Sequence, residues 1–276
     1  MAIDKDNIDA ALALLVKGFP ERTVAFWSEG LRRVSAHHER RNLGSVGQLL
    51  LKGEDAVGVL LTLKSHLPGS DRTVVNLSSW YLEPSCRWFA PRMLQLASAS
   101  PDETYTDLTP SPEAAKLNDR LGFKTVTDCT LFYPLPLKAL FPSKASVVDL
   151  SHVPADAFSD HIREILSDHE RLGCITAALS LDGRYHPLVF LKTTTKRLPS
   201  ARLVFCEDRH IAQENIGTIA RFLLAKGRLA MTLPCPEEEK NSGGFALQKT
   251  AKTQVKGEWN TRLVNETYSE LVLLPL

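Results

Sequence analysis

Apolar positions along the chain fall first into helical periods and then into extended ones. Ile8, Leu12, Leu15 and Val16 recur at intervals that share one helical face, with Asp6 or Asn7 as cap and Gly18 at the exit. In "FPERTVAFWSEGLRRVSAHH" the spacing of Val24, Trp27, Leu31 and Val34 predicts a second helix, in which Gly30 costs about 1 kcal/mol relative to alanine. The period then changes. "SVGQLLLKGEDAVGVLLTLKSH" reads as two strands around a turn near Gly53 to Asp55, antiparallel because so short a connection admits no crossover. "RTVVNLSSWYL" is a third strand, followed by a helix over about 86–99, the strand "TYTDLT" and a helix over about 112–121. Ser111 and Pro112 suit the start of that last helix, and Gly122 a left-handed stop with Phe123 folding back on the apolar face. "KTVTDCTLFYPL" closes this half as a strand.

"PLPLKALFPSK" carries three prolines within nine residues and reads as a stiff connection. Beyond it the rhythm returns. "DAFSDHIREILSDHERLG" is a helix, "CITAALSLDGRYHPLVFLKTTT" a hairpin turning at Asp182-Gly183, and "SARLVFCED" a strand. "IAQENIGTIARFLLAKG" is a helix ended by Gly227, "RLAMTLP" a strand and "YSELVLLPL" a final strand. Strand, helix, strand and proline thus recur in "VVNLSSWYL … RMLQLASAS … YTDLTP" and "ARLVFCED … IARFLLAKG … LAMTLP" with little residue identity. The order predicts an α/β protein of two related mixed-sheet halves, 1–135 and 146–276, joined by a proline-rich connection over 136–145.

Composition narrows the class without choosing a function. At 276 residues the chain has room for two domains. Thirty-three basic against 32 acidic side chains leave +1, which gives no drive toward nucleic acid or a membrane surface. The five cysteines are widely spaced with no CxxC pair, so reduced thiols in the cytoplasm are expected. No apolar run reaches the length of a membrane span. "AHHER" places His37 and His38 on different sides of a helix without zinc-site spacing, so both are expected at the surface and no metal site is expected. Cys206, Asp208 and His210 suggest thiol chemistry only if thiol and imidazole touch; a core cysteine beside a polar loop is the plainer expectation. "CPEEEKNSGG" reads as a polar turn. "KTAKTQVKGEWNTR" has a small positive excess that suits either a solvated connection or an anionic partner.

The chemistry-bearing candidates concentrate where the third strand meets the next helix. Backbone N–H groups at a helix entrance between Leu82 and Arg92 can receive an anion, with Arg87 and Arg92 adding charge-assisted contacts. No dinucleotide fingerprint or Walker-type loop is present. The stretch "RWFAPR" (Arg87, Trp88, Phe89, Ala90, Pro91, Arg92), together with "SPEAAKLNDRLGF" and the order of elements, resembles the GCN5-related N-acetyltransferase superfamily. The resemblance implies tandem acyl-CoA N-acyltransferase-like domains, the first of which holds acetyl-CoA or another acyl-CoA beside a splayed third strand.

In that pattern Arg87 matches a leading arginine, while Ala90 and Arg92 stand where the family carries glycine or a small residue. Ala114, Gly122 and Phe123 match the later motif, Ser111 replaces its asparagine, and Asn118 replaces the tyrosine that protonates the departing thiolate. A carboxamide at 118 can hydrogen-bond but cannot act as an acid. The implied cofactor contacts are therefore Leu82, Arg87, Trp88, Phe89, Ala90, Pro91, Arg92 and Asn118, with Glu83 as candidate base and Tyr105 as candidate proton donor. Ser78 and Trp80 are expected on one face of the strand, Ser79 and Tyr81 on the other. The implied acceptor is a small-molecule or peptide amine. The alternative is a degenerate relative that binds a ligand or protein without turnover.

Overall fold

The computed structural model describes residues 1–70, 72–247 and 252–274. Helices α1 (Ile8–Gly18) and α2 (Val24–Arg41) precede strands β1 (Gly47–Lys52), β2 (Asp55–His66) and β3 (Thr73–Leu82). A 3₁₀ helix over Pro84–Phe89 runs into α3 (Ala90–Ala97). Next come β4 (Glu103–Asp107), α4 (Pro112–Arg120), β5 (Lys124–Thr127), β6 (Cys129–Pro134) and α5 (Leu135–Lys138). The chain continues through β7 (Ser146–Val148), α6 (Asp160–Arg171), β8 (Ile175–Leu181), β9 (Arg184–Thr195) and β10 (Leu198–Cys206). It ends with α7 (Arg209–Glu214), α8 (Ile216–Ala225), β11 (Ala230–Cys235), β12 (Phe245–Ala246), β13 (Thr253–Lys256), β14 (Val264–Asn265) and α9 (Glu270–Leu273).

Two compact units result. One comprises Met1–Lys124, Thr253–Glu258 and Tyr268–Leu276; the other comprises Thr125–Lys252 and Trp259–Thr267. The first sheet has the order β1-β2-β3-β4-β13-β5, and the second β12-β6-β11-β10-β9-β8-β7 with β14 on β10. Each contains an antiparallel meander, β1-β2-β3 or β8-β9-β10, whose last strand is joined through helix to a parallel neighbour, β4 or β11. That is the strand–helix–strand recurrence expected from the sequence. Each sheet also takes in a strand from the other half of the chain. β13 lies antiparallel on β4, and β6 lies antiparallel on β11. An open strand edge exposes unpaired N–H and C=O groups, and these two strands cover the edges that the crossovers leave.

Several elements differ from the sequence expectation. "KTVTDCTLFYPL" is two strands rather than one, and its second part, β6, belongs to the second sheet. The segment after Tyr268 is helical over Glu270–Leu273, and its last two residues lie outside the described ones. Compactness thus divides the chain after Lys124 and again after Lys252, Glu258 and Thr267, whereas the proline-rich stretch, read as a connection, forms α5 within the second unit. The helix read through "IAQENIGTIARFLLAKG" is broken at Asn215 into α7 and α8. Residues 249–251 of the basic stretch are outside the described residues, while β13 follows directly.

At α1 the Asn7 side chain makes no capping hydrogen bond and Gly18 is the last helical residue, with Phe19 as C-cap, whereas at α4 the expected caps form. Ser111 Oγ accepts the Ala114 amide at the start of α4, Gly122 takes φ +89°, and Phe123 is buried. In the second unit, Gly217 of α8 meets the α5 exit at close quarters. A Cβ there would stand 2.2 Å from the Phe141 carbonyl oxygen, which is backbone and cannot rotate away. Gly217→Ala is expected to destabilise by about 1–3 kcal/mol, read as a lower denaturation midpoint at unchanged slope.

The histidine pair is not at the surface. His37 and His38 are 4% and 1% exposed, and both engage Lys64 of β2 beyond the end of β1. His37 Nε2 lies 2.8 Å from the Lys64 carbonyl oxygen, and the Lys64 amide donates to His38 Nε2 at 3.0 Å. Two imidazoles thereby satisfy the backbone groups that a longer β1 would have paired. Helical periodicity separates adjacent residues by about 100°, which suggested different environments. The observed burial arises because α2 packs against the edge of β2 and both rings reach it.

Candidate functional site

β3 and β4 run parallel and paired only from Thr73–Asn76 against Glu103–Thr106. Beyond Asn76 they have no mutual register, so the β4-facing side of Leu77–Leu82 lacks a strand partner. On its other side, β3 carries a bulge against β2: Ser78 pairs with Leu61 and Tyr81 with Val59, leaving Ser79 and Trp80 opposite Leu60 alone. Ser79 takes φ +48° at this point. A bulge bends and twists its strand and breaks the simple alternation expected for Ser78–Tyr81. As a result Ser78, Ser79 and Trp80 all line one cavity.

That cavity, of about 440 Å³, opens between the diverging strands, α2 with the connection before it, and α4. Asp107, at the end of β4, faces it, as do Asn118 from α4, Trp27 from α2 and Glu270 from α9. A second space of about 430 Å³ adjoins it through Trp80, Ser111 and Ala114. It forms a groove between Tyr81, Leu82, Arg87 and Ala90 on one side and Glu113 and Leu117 on the other.

A polar network holds the cavity wall. Asn118 is fully buried; its Nδ2 donates to Asp107 Oδ2 and to Gln254 Oε1, each at 2.9 Å. Gln254, from β13, donates in turn to Asp119 Oδ1 at 2.7 Å. Both partners of Asn118 Nδ2 are acceptors, so the amide cannot be turned round, and its Oδ1 is left buried without a hydrogen-bond partner. Burial raises the Asp107 carboxyl to about 6, against hydrogen bonds from Asn118 and the Thr109 backbone that favour its charged form. Glu270 Oε1 accepts from Thr109 Oγ1 at 3.2 Å, and its amide donates to Asn76 Oδ1.

The structure sorts the sequence candidates. Leu82, Arg87 and Ala90 line the groove, and Asn118 lines the cavity. Trp88 projects into solvent at 78% exposure, with Phe89 edge-on to it and itself packed on the core. Pro91 and Arg92 are exposed on α3; Arg92 donates to Gln95 rather than facing the groove. Glu83 is ion-paired with Lys17 and lines neither space. Tyr105 is a core residue: its hydroxyl donates to Glu103 Oε2 at 2.6 Å and accepts from the Ser100 amide, and burial pushes its titration upward. It too stands apart from both spaces, because it lies where β3 and β4 are still paired.

The helix entrance is also different from the open turn anticipated. Pro84–Phe89 is a continuous 3₁₀ helix, so the Cys86 and Ala90 amides are spent on the Glu83 and Arg87 carbonyls, and Pro91 has none to offer. Arg87, which lines the groove, brings a guanidinium to it. In the second unit the Cys206–Asp208–His210 group is no triad. Cys206 is buried in β10 with its thiol pushed upward, Asp208 caps α7, and His210 engages Glu239. Among the described residues no cluster of three metal-ligating side chains occurs, and no helix is long and apolar enough to cross a membrane.

Sequence reasoning missed Asp107, Trp27 and Glu270 as site residues. Asp107 carried a readable signal, an acid at the carboxyl end of a strand, where open α/β sheets place ligands. Trp27 had been counted as packing from its helical spacing, and Glu270 lay in a segment read as a strand.

No family model matches the sequence, and no curated protein does. Solved structures do match. Similarity extends to a GCN5-related N-acetyltransferase from Anabaena variabilis (TM-score 0.57, 10% identity, 93% of this chain and 71% of that one). A GCN5-related N-acetyltransferase from Kribbella flavida gives 0.55, 9%, 92% and 69%. A protein from Pyrococcus horikoshii, provisionally assigned as an acetyltransferase, gives 0.53, 13%, 99% and 94%. At such identities the likeness is one of fold. The chain has the mixed-sheet α/β fold of acyl-CoA N-acyltransferases. The alignment takes in nearly all of this chain and between 69% and 94% of the three structures.

Proposed function

We propose that this protein is an N-acyltransferase that moves an acyl group from coenzyme A to an amine, using the first unit. The observation that carries the reading is the parting of β3 from β4 beside two adjoining spaces, with the half-buried Asp107 carboxylate lining the cavity at the end of β4. The groove offers the unpaired edge of β3 to the extended arm of the carrier and Arg87 to its phosphates. The cavity then takes the acceptor.

The chemistry follows from those positions. An amine attacks the thioester carbonyl; the C–N bond forms, the C–S bond breaks, and β3 amides without a strand partner stabilise the oxyanion between. Asp107 collects the proton that the amine loses, and the departing thiolate takes its proton from solvent, so that the net products are amide and free thiol. Asn118 cannot supply that proton, but its Nδ2 holds Asp107 in place. Acetyl or longer acyl groups both agree with this scheme.

Arg87→Ala is expected to weaken coenzyme A binding by about tenfold, the loss of a charge-assisted hydrogen bond, measured by calorimetry. Equal affinities would remove Arg87 from the site. The reading as a whole is tested by thiol release from acetyl-CoA and longer acyl thioesters, with and without candidate amines. A second reading, a ligand-binding relative without turnover, is favoured by one observation: the 3₁₀ entrance spends the amides that an acyl carrier's pyrophosphate would use. Coenzyme A affinity with no acceptor-dependent thiol release would select it.

A further inference from the structure

The near-neutral sum of charges conceals a segregation within the second unit. Three of its segments, residues 134–144, 194–200 and 221–229, carry seven basic side chains and no acidic one. They are the α5 stretch, the β9–β10 turn, and the second half of α8 with the residues leading into β11. Backbone hydrogen bonds join them. The Leu135 amide donates to the Leu229 carbonyl oxygen at 3.0 Å, and the Leu229 amide donates to that of Pro199 at 2.7 Å. From α8, the Arg221 guanidinium donates to the Ala139 and Phe141 carbonyl oxygens at 2.8 and 3.1 Å.

The same segments hold most of the unit's exposed apolar surface. Among the described residues of the second unit, six large apolar side chains are exposed, and five stand here: Leu137, Leu140, Phe141, Leu198 and Leu229. Exposed leucines scattered singly need no explanation, but a cluster of this kind marks an interaction surface. Leu140 is 81% exposed. A side chain so nearly surrounded by water protrudes, and a protruding leucine inserts into a fluid phase without needing a matched pocket. Cations surround these side chains. Lys138 Nζ lies 4.8 Å from the centre of the Phe141 ring, Lys144 is exposed just beyond, and Lys196 and Arg197 are exposed beside Leu198. Among the described residues, Lys226 alone of the seven basic side chains is ion-paired, with Asp149 at 2.7 Å.

We infer that these joined segments of the second unit rest on an anionic phospholipid surface. Leu137, Leu140 and Phe141 enter the boundary between headgroups and acyl chains, and the neighbouring lysines and arginines meet the lipid phosphates. Apolar insertion with a cationic rim binds a membrane surface without spanning it. The aliphatic character argues against a nucleic acid, whose bases need aromatic faces for stacking. The inference stands on the second unit and does not depend on the acyltransferase reading.

The test is cosedimentation of the full chain with vesicles of phosphatidylcholine alone and of phosphatidylcholine and phosphatidylserine in equal parts. Binding to the mixed vesicles is expected to be at least about tenfold tighter and to weaken with added salt. Leu140→Glu is expected to lower it by about tenfold or more, and Lys144→Ala by about fivefold. Both positions are exposed, so an unchanged denaturation midpoint is expected in each variant. Leu96→Glu places the same charge on an exposed leucine of α3 in the first unit and is expected to keep wild-type binding. Absence of binding to either vesicle, equal binding to both, or undiminished binding by Leu140→Glu overturns the inference. So does binding of an RNA oligonucleotide, or self-association relieved by Leu140→Glu, in a chain that leaves the vesicles alone.

Discussion

Asp107→Asn is expected to lower acceptor-dependent acyl transfer by about 10²- to 10⁴-fold, the span that a positioned general base supplies, with coenzyme A affinity unchanged. The substitution is isosteric and keeps an oxygen for Asn118 Nδ2, so the network through Gln254 survives while proton acceptance does not. The pH profile provides the sharper check. Burial holds the Asp107 carboxyl up to about 6, and only its ionised form accepts a proton. The wild-type rate therefore falls as pH drops through about 6, and Asp107→Asn loses that limb. A profile unchanged by the substitution assigns the base elsewhere.

The second large effect is on stability and comes from the histidine pair. His37 Nε2 faces a carbonyl oxygen, so that nitrogen carries the proton, while Nδ1 faces the Arg41 guanidinium at 3.4 Å. His38 is the opposite tautomer: Nε2 accepts the Lys64 amide and Nδ1 faces the Gly44 carbonyl oxygen at 3.3 Å. Both rings are therefore neutral in the fold, and protonating either sets N–H against N–H. Burial, the largest cause, pushes His37 down to about 3 and His38 below its ordinary value. Tyr268, stacked on His37 at 4.4 Å, completes the enclosure.

The unfolded chain binds protons near pH 6.5 that the folded chain refuses. The stabilisation is thus complete above pH 6.5 and is lost as pH falls toward the folded values. The expected slope is about 1.4 kcal/mol per pH unit for each imidazole. Urea denaturation from pH 7 to pH 4 reads it directly. His37→Gln with His38→Gln, which keeps neutral donors and acceptors, is expected to flatten the limb even at lower overall stability. A flat wild-type profile refutes the neutral assignment.

Local patterns were legible where one short segment decides its own geometry. The periods of α1, α2 and α4, the Ser111 cap, the Gly122 stop and the Asp182-Gly183 turn all depend on residues a few positions apart. Among the site residues, Leu82, Arg87, Ala90 and Asn118 were in view because they sit on or beside the strand-to-helix junction and the α4 motif. Glu83 and Tyr105 were plausible by chain position alone. Their side chains are claimed by Lys17 and by Glu103 with Ser100, partners 66, 2 and 5 residues away. The two partners close to Tyr105 carried no warning, because only β3–β4 pairing shows that its ring is inside the core.

The amino-acid order by itself determined the alternation of helices and strands, the two-sheet α/β class and the repeated strand–helix–strand unit. These follow from periodicity, caps and breakers that act over one or two turns. Tertiary structure alone decided that β13 pairs with β4 in the first sheet and β6 with β11 in the second, because that pairing joins segments about a hundred residues apart or more. It also decided that β3 leaves β4 at Asn76, that a bulge gathers Ser78, Ser79 and Trp80 around one space, and that Asp107, Asn118, Trp27 and Glu270 face it together. A cavity is a property of surfaces brought together from distant parts of the chain, and no local pattern encodes which residues will share one.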